Sequence, residues 1–417
     1  MTTGGRGIPR LQELSYLEVA ATAVFDEVPF EGIRRLMVDH MIQLGLANPG
    51  TGNIAAYKPA IDNPKRYVRN VSEALKELMR LGLVVKDNLP ATASSAAGFR
   101  DVQYQLTDDG RAWVQDMQTD RAGAYDRLMN LLALAHPQFV GYLKIVGEGF
   151  AVPTARWTEV QGNPTRERYI VHLSKKASAL LDSSELGWGS TEQAIEEVLR
   201  SYTGEIAARA QARERPDPFA RNQDFVGACE EGLVRYAFQC AGTPIDYISH
   251  EILRRWTKSL GVANFSYHVP GPSLLRFWPT ADLDFAHDEI TADRRIGPEW
   301  RQRVLAGLGE GYERTKAESG GRSLWVPIYK LRAAVSSKLR ISDREFDTAL
   351  LEMLAGETGH DLPYRLNPDP AMYGSVPPSA RPLIAPTRSG ARTYHSISLV
   401  PRRDAKPATT NPERNPS

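Results

Sequence analysis

Apolar side chains recur at helical spacing along much of the chain, and this periodicity predicts a mainly helical protein. In residues 11–27 and 30–46, apolar side chains return every three or four positions, as on one face of an α-helix. A third such pattern spans residues 64–81. It begins at a proline, which suits the first helical position, and stops before Gly82, a common helix terminator. The N-terminal region therefore begins with three predicted helices.

Two short strands follow the third helix in this pattern. Residues 83–86 and 102–106 are rich in β-branched and aromatic side chains, and a Ser/Ala-rich loop separates them. Thr107 then has the side chain expected of an N-cap for a helix that starts at Asp108. The predicted order is three helices, a strand pair and another helix.

The same patterns divide the rest of the chain. Residues 143–160 and 169–173 alternate enough to predict strands, and residues 191–213 predict a helix. Near the C-terminus, Ser342 and Glu345 form a capping-box sequence before an apolar helix face. The predicted regions are a first unit over 11–136, a connector of strands and helix over 139–215, further units over 222–283 and 299–400, and a disordered tail over 401–417.

Two segments of the first region carry a family resemblance. The run SEALKELMRLGLV, beginning at Ser72, resembles the third helix and first wing strand of winged helix-turn-helix proteins; YQLTDDGR, beginning at Tyr104, resembles their second wing strand and the helix cap after it. The resemblance covers about 100 residues and is to the broad superfamily. Weaker resemblances in 222–283 and 299–400 imply two or three winged-helix units in tandem. The expected fold class is mainly α with small β-hairpin wings, an α+β architecture.

The charge on the third helix favours DNA as the ligand of the first unit. A recognition helix meets the major groove with its N-terminal residues, where Arg or Lys pairs with guanine, Asn with adenine, and Ser with phosphate. Five basic residues face two acidic ones on this helix. The alternative is a solvated basic face without a ligand. The candidate DNA-binding residues are Lys65, Arg66, Arg69, Asn70, Ser72 and Lys76, with Arg100 in the loop between the strands.

The last predicted helix is acidic instead. Its carboxylates outnumber Arg344, and DNA phosphates repel carboxylates. The C-terminal half is therefore expected to bind a protein partner, with Asp343, Asp347 and Tyr329 as candidate contacts, because aromatic residues are enriched at protein interfaces. The alternative is that the aromatic residues fill this unit's own core. The preceding helix is basic, and contact with backbone phosphates is an alternative there.

Composition changes this picture little. The chain has 417 residues, 42% of them hydrophobic and 24% charged, as in ordinary soluble globular proteins. Its 51 Lys and Arg oppose 50 Asp and Glu, so any basic surface must be local. Arg outnumbers Lys 39 to 12, which is typical of GC-rich bacterial genomes. Because the chain has neither an apolar span nor a signal-peptide pattern, we expect a cytoplasmic, nucleoid-associated protein.

Signals for catalysis are weak. Gly-Lys and Glu-x-Lys do not occur, which removes the phosphate-loop signature and a common nuclease pattern. The acidic run from Asp282 to Asp293, with His287, suits a divalent ion, but an exposed linker explains it as well. Two cysteines, Cys229 and Cys240, exclude a disulfide framework and are expected in the core, on one helix face. We expect no cofactor and no metal.

The sequence thus favours a non-enzymatic, multi-unit winged-helix adaptor of a bacterial DNA-maintenance, regulatory or anti-phage defence system. Its expected partners are double-stranded DNA and a protein bound by the C-terminal half, with homodimerisation as a further alternative. A second interpretation is a tandem winged-helix protein-interaction subunit of a chromosome-organising ATPase complex, without direct DNA reading. A third is a metal-dependent nuclease.

Overall fold

In a computed structural model, the described residues of the chain are mainly helical with small antiparallel sheets, as the sequence predicts at this coarse level. No helix in that part of the chain has the length and apolar character needed to cross a bilayer. The structure describes residues 14–43, 68–87, 103–181, 191–245, 247–271, 273–286, 289–321, 323–356, 364–371, 380–387 and 390–401.

The described residues form 13 α-helices and 12 strands. The helices are α1 (Ser15–Phe25), α2 (Phe30–Gln43), α3 (Val68–Arg80), α4 (Asp108–Thr119), α5 (Arg121–Ala135), α6 (Gln138–Glu148), α7 (Arg166–Leu181), α8 (Glu192–Gln211), α9 (Asn222–Cys240), α10 (Tyr247–Ser259), α11 (Pro298–Glu318), α12 (Ile328–Leu339) and α13 (Asp343–Ala355). The strands are β1 (Val84–Asp87), β2 (Gln103–Leu106), β3 (Phe150–Pro153), β4 (Ala263–Ser266), β5 (Leu274–Pro279), β6 (Ala281–Asp284), β7 (Thr291–Arg294), β8 (Val326–Pro327), β9 (Tyr364–Asp369), β10 (Leu383–Thr387), β11 (Gly390–Tyr394) and β12 (Ser396–Pro401).

The chain folds into two compact units. Unit 1 comprises residues 1–148, 155–263 and 282–294, and unit 2 comprises residues 149–154, 264–281 and 295–417. Each unit is therefore built from separate stretches of chain. The sequence divides the chain into four regions with other bounds than these two units. Their status as separate folding units stays a prediction.

Helix α1 is the centre of the N-terminal part of unit 1. It contacts α2, α3, α4 and β2, and its small Ala20 and Ala21 are fully buried. Small side chains let neighbouring elements approach closely on several sides. Strands β1 and β2 pair antiparallel, with Val84 opposite Leu106 and Asp87 opposite Gln103. The predicted order of helices and strand pair is thus present among the described residues.

Thr107 joins this hairpin to the next helix. Its hydroxyl accepts a hydrogen bond from the amide of Gly110 at 3.0 Å and donates one to the carbonyl of Gly82 at 2.8 Å. Gly82 has φ of +74°, a conformation that glycine adopts without strain, at the end of α3. The cap expected at Thr107 is confirmed.

The strands predicted over 143–160 and 169–173 are wrong for most of these residues. In the first segment α6 takes up residues 143–148, β3 is a strand, and a 3₁₀ turn spans Trp157–Glu159; α7 takes up the whole of the second segment. In α7, Tyr169, Ile170, Leu173 and Ala177 are buried, a spacing that fits one face of a helix. A short run of bulky apolar residues fits both the helical and the strand periodicity, and tertiary packing favours the helix here.

The remaining helices of unit 1 enclose an aromatic core. Helix α8 contacts α7 and α9, and the rings of Tyr142 and Phe238 stack at 4.8 Å between centroids. His250 lies beside both rings and is almost fully buried. Its burial, with a smaller contribution from the positive charge of Arg254, lowers the pKa of His250 from 6.5 to about 3. The native state therefore holds this imidazole neutral.

Unit 2 combines a helix trio with a three-stranded sheet. Helices α11, α12 and α13 contact one another, and the sheet has the order β8-β12-β9 with antiparallel pairing on both sides of β12. Leu308, Leu331, Phe346 and Ile397 belong to the core between them. Two further antiparallel sheets, β10-β11 and β3-β5-β4, complete the described part of this unit.

A three-residue turn joins α12 to α13. Arg340 adopts the left-handed conformation there, with φ of 53° and ψ of 46°, and Ser342 accepts a hydrogen bond from the amide of Glu345 at 3.1 Å. The N-cap predicted at Ser342 is thus confirmed. The indole nitrogen of Trp278 donates to the carbonyl of Ile341 at 3.1 Å, so a side chain of β5 also fixes the position of this turn.

We predict that Thr107→Ala lowers the free energy of unfolding by about 1–2 kcal/mol, because one cap bond and one hydrogen bond to Gly82 are lost. Thr107→Ser keeps the hydroxyl and should remain within about 0.5 kcal/mol of the parent. Urea denaturation measures both effects, and amide exchange at Gly110 should accelerate in the alanine variant alone. Equal behaviour of the two variants would contradict this assignment.

We also predict that His250 makes the fold acid-labile. Because the unfolded chain binds the proton near pH 6.5 and the native state only near pH 3, stability falls as the pH drops through that window, by at most about 1.4 kcal/mol per pH unit. In His250→Met this contribution disappears, so the stability of the variant relative to the parent should rise from pH 7 to pH 4.5. A constant difference across that range would show that His250 does not titrate this way.

Candidate nucleic-acid interface

One narrow stripe of α3 faces solvent. Arg69, Glu73, Lys76 and Arg80 recur at spacings of four and three residues, which places them along one side of the helix. The side chain of Arg69 is 72% exposed, and Lys76 and Arg80 are also exposed. The opposite face is buried, and its apolar members are Val68, Val71, Ala74, Leu75 and Leu78.

Neighbouring carboxylates partly neutralise the positive charge of this exposed stripe. The guanidinium Nε of Arg69 donates to Glu73 at 2.7 Å, one helical turn away, and this hydrogen bond raises the pKa of Arg69. Arg80 pairs with Glu77 at 2.8 Å. A phosphate that binds Arg69 must therefore compete with the carboxylate of Glu73. The excess of positive charge is smaller on the folded helix than the residue count implies.

Glu77 is a buried anchor and not a surface charge. Its side chain is only 1% exposed, and its two carboxylate oxygens meet different partners: Arg80 at 2.8 Å and His136 Nε2 at 3.2 Å. His136 ends α5 and lies 5.4 Å from the Trp256 ring of α10, measured between centroids. These contacts hold α3 against the later helices of unit 1 and orient its exposed stripe.

Two other candidate residues of α3 lie closer to the interior. Ser72 is buried, and its hydroxyl donates to the carbonyl of Val68 at 2.9 Å. The predicted phosphate contact of Ser72 is therefore corrected, because the hydroxyl is turned into the helix. Asn70 is half-buried. The candidates Lys65, Arg66 and Arg100 lie outside the described residues.

The acidic candidates in unit 2 have partners within their own unit. Asp343 accepts a hydrogen bond from the amide of Asn264 at 2.8 Å, and Asp347 forms an ion pair with Arg332, also at 2.8 Å. The half-buried ring of Tyr329 packs edge-on against His268, with 4.7 Å between centroids. All three residues thus have structural roles, and their contact with a protein partner stays a prediction.

The acidic run from Asp282 to Asp293 begins on β6 and ends on β7, and these two strands pair with each other. The amide of Asn130 exchanges hydrogen bonds with the backbone of Ile290, at 2.7 and 2.8 Å. Arg294 pairs with Asp126 at 2.8 Å, and both contacts attach this segment to α5. Asp282 and Asp284 are exposed on β6. His287 and Asp288 lie outside the described residues, within which no cluster of three potential metal ligands occurs.

The two cysteines differ in environment. Cys229 is fully buried in α9, and burial raises the pKa of its thiol to about 12. Cys240, at the end of the same helix, is exposed. The expectation of a core position is therefore correct for Cys229 and wrong for Cys240, because the core ends before the last turn of α9.

Formal charge divides unevenly between the two units. Unit 1 contains 31 Lys and Arg against 37 Asp and Glu, a net charge of −6, whereas unit 2 contains 20 against 13, a net charge of +7. These values add to the +1 of the whole chain. The near-neutral total therefore conceals a basic C-terminal unit.

The sequence already shows Arg381 and Arg392 in a basic stretch, residues 381–417, with seven basic residues against two acidic ones. In the structure both are exposed in unit 2, Arg381 beside α12 and Arg392 on the β10-β11 hairpin. Sequence reasoning also counted Arg344 into an acidic helix. One signal in the sequence could have shown that these acids need not form a binding surface. Asp343 and Glu345 lie in the first turn of α13, where carboxylates stabilise the helix N-terminus.

Comparisons with protein-family models, curated proteins and solved structures found no match to this chain.

We predict that Glu77→Gln lowers the free energy of unfolding by about 1–3 kcal/mol, because a buried hydrogen-bonded charge loses its pairing with Arg80 and His136. Glu73→Gln is the control, since its ion pair is exposed and contributes at most about 1 kcal/mol. Guanidinium denaturation measures both variants. If the two substitutions cost the same, Glu77 is not the anchor of α3.

Proposed function

We propose that this protein binds double-stranded DNA through the N-terminal part of unit 1, as a multi-unit winged-helix adaptor in bacterial DNA maintenance, regulation or defence. One observation carries the proposal: Arg69 and Lys76 stand exposed on a helix whose other face is buried, directly before an antiparallel hairpin. In winged helix-turn-helix proteins such a helix enters the major groove, where Arg and Lys hydrogen-bond to guanine.

The organisation of unit 2 supports the multi-unit form of the proposal. Its order is helix, strand, helix, three-residue turn, helix, and then strands that complete the sheet β8-β12-β9. A turn of three or four residues between two helices is typical of helix-turn-helix motifs. Unit 2 is therefore a second winged-helix unit in this proposal, and a DNA-binding protein of one unit would not need it.

A protein-interaction subunit is the second candidate function. The net charge of −6 on unit 1 favours it, because a negative unit is repelled by DNA at long range. Under this alternative the exposed stripe of α3 contacts a protein and the affinity for DNA has no dependence on Arg69. The two functions therefore differ in one measurable quantity.

We predict that Arg69→Ala combined with Lys76→Ala weakens binding to duplex DNA about 5- to 100-fold, since a base-edge contact contributes about 1–3 kcal/mol. The slope of log K against log salt should become shallower if either residue contacts phosphate. Glu73→Gln should act in the opposite direction and strengthen binding, because it releases Arg69 from its carboxylate. Fluorescence anisotropy with a labelled duplex measures all three effects.

The matched control is Arg209→Ala. Arg209 is 74% exposed and pairs with Glu205 one turn away on α8, so it resembles Arg69 in exposure and pairing but lies on another helix. Its removal should leave affinity and melting temperature unchanged. Equal effects of Arg69→Ala and Arg209→Ala would refute a specific role for α3, and undiminished binding by the double variant would favour the protein-interaction subunit.

A further inference from the structure

Most carboxylates of α13 have partners within unit 2, although the sequence predicts an acidic helix surface. Asp343 and Asp347 accept hydrogen bonds within the unit, from Asn264 and Arg332. Glu352 forms an ion pair with Arg301 at 3.0 Å. Three of the four carboxylates of the helix are thus paired and half-buried, whereas Arg344 is the charged residue of α13 that is exposed.

Several exposed arginines of unit 2 lack such pairing. Within the described part of the chain, none of them has a carboxylate at salt-bridge distance, although other exposed cations do, such as Arg303 with Glu299 at 2.6 Å. Unpaired guanidinium groups retain their full charge towards solvent and towards an anionic ligand. Among the described residues of unit 2, the exposed arginines without an ion pair are Arg314, Arg340, Arg344, Arg365, Arg381 and Arg392.

The hydrogen bonds of buried Arg332 place Arg344 and Arg381 on one side of the unit. Its Nε donates to Asp347 on α13, and its Nη1 donates to the backbone carbonyl of Arg381, each at 2.8 Å. Arg344 lies three residues before Asp347, so it shares that side of α13. The chain at Arg381 therefore runs along the same flank of the helix pair that carries Arg344.

The β10-β11 hairpin continues this flank. Leu383, two residues after Arg381, is buried in the unit 2 core and pairs with Tyr394; Arg392 opposes Ala385 in the same register. Because side chains alternate between faces along a strand, Arg392 lies on the face that Leu383 turns towards the helices. The exposed Arg392 extends the positive charge of Arg344 and Arg381 along the hairpin.

The turn before α13 adds a fourth charge. Arg340 occupies a left-handed backbone position, with φ of 53°, which glycine or asparagine adopts more readily. It stands in the three-residue turn of a helix-turn-helix arrangement, whose helices contact DNA backbone and groove in other proteins. A bulky cationic residue at this strained position places its charge next to the start of α13.

The geometry points to a second DNA contact, in unit 2: Arg340, Arg344, Arg381 and Arg392, the C-terminal arginine patch, bind phosphates of duplex DNA. The helix-turn-helix geometry beside a hairpin fits the wide major groove of B-form DNA, whereas the deep, narrow major groove of A-form RNA excludes a helix. The net charge of +7 on unit 2 attracts the same ligand. This second contact extends the proposed function and is independent of the contact assigned to α3.

The test measures salt dependence of duplex binding by the full-length chain. In Arg344→Gln/Arg381→Gln/Arg392→Gln, the slope of log K against log salt should shrink by about 3, since each lost phosphate contact removes about one unit. The matched control, Arg209→Gln/Arg221→Gln/Arg303→Gln, removes the same net charge from exposed arginines that are paired with carboxylates. Its slope should remain within about one unit of the parent.

Arg340→Gly separates binding from folding. Glycine relieves the left-handed strain, so the melting temperature should stay equal or rise, while the slope shrinks by about 1. An unchanged slope in the triple variant, or an equal change in the control, overturns the patch. So does a result in which the triple variant loses binding to single-stranded RNA or to vesicles containing phosphatidylserine but keeps its duplex affinity.

The variants of α3 distinguish the two DNA contacts. If the patch variant loses affinity and Arg69→Ala/Lys76→Ala does not, the patch stands and the role of α3 fails. The reverse result refutes the patch and retains α3. A loss in both sets supports two separate contacts on the DNA, whereas no loss in either refutes both.

Discussion

The buried guanidinium of Arg332 is the interaction on which the organisation of unit 2 depends. Only 5% of this side chain is exposed, so its donors must find acceptors within the protein, because an unpaired buried charge costs several kcal/mol (~3–5). It finds them in the carboxylate of Asp347 and in the carbonyls of Arg381 and Pro382. One residue of α12 thereby sets the position of α13 and of the chain that enters the β10-β11 hairpin.

The same interaction determines which charges the unit presents to solvent. Asp347 forms an ion pair with the buried Arg332, which partly neutralises the negative charge of α13. The nearby Arg344 and Arg381 remain exposed. A helix can therefore be acidic in composition and basic in what it presents to a ligand. This distinction is why we propose DNA as a ligand of unit 2, while the contact with a protein partner stays a prediction.

Glu77 has the corresponding role in unit 1, with the opposite sign. A buried carboxylate meets Arg80 and His136 and holds α3 in place, while Arg69 and Lys76 face outwards. Both units thus use a buried charge to orient a helix whose exposed side carries the candidate contacts. Two modest phosphate-binding surfaces on one chain would combine their affinities when both reach the same duplex, which suits an adaptor better than a single strong site would.

Local signals in the sequence were sufficient for the helices α1 and α3, for the hairpin β1-β2 and for the caps at Thr107 and Ser342, because periodicity and capping act within a few residues. They did not distinguish helix from strand at Tyr169, where short apolar runs fit both periods. Local signals also could not predict which charged side chains are exposed at the surface. Asp343 meets Asn264 across 79 positions and Asp347 meets Arg332 across 15. Composition determined how many charges each helix carries; only tertiary packing decided which are buried as pairs, because burial drives opposite charges together wherever the fold brings them within reach.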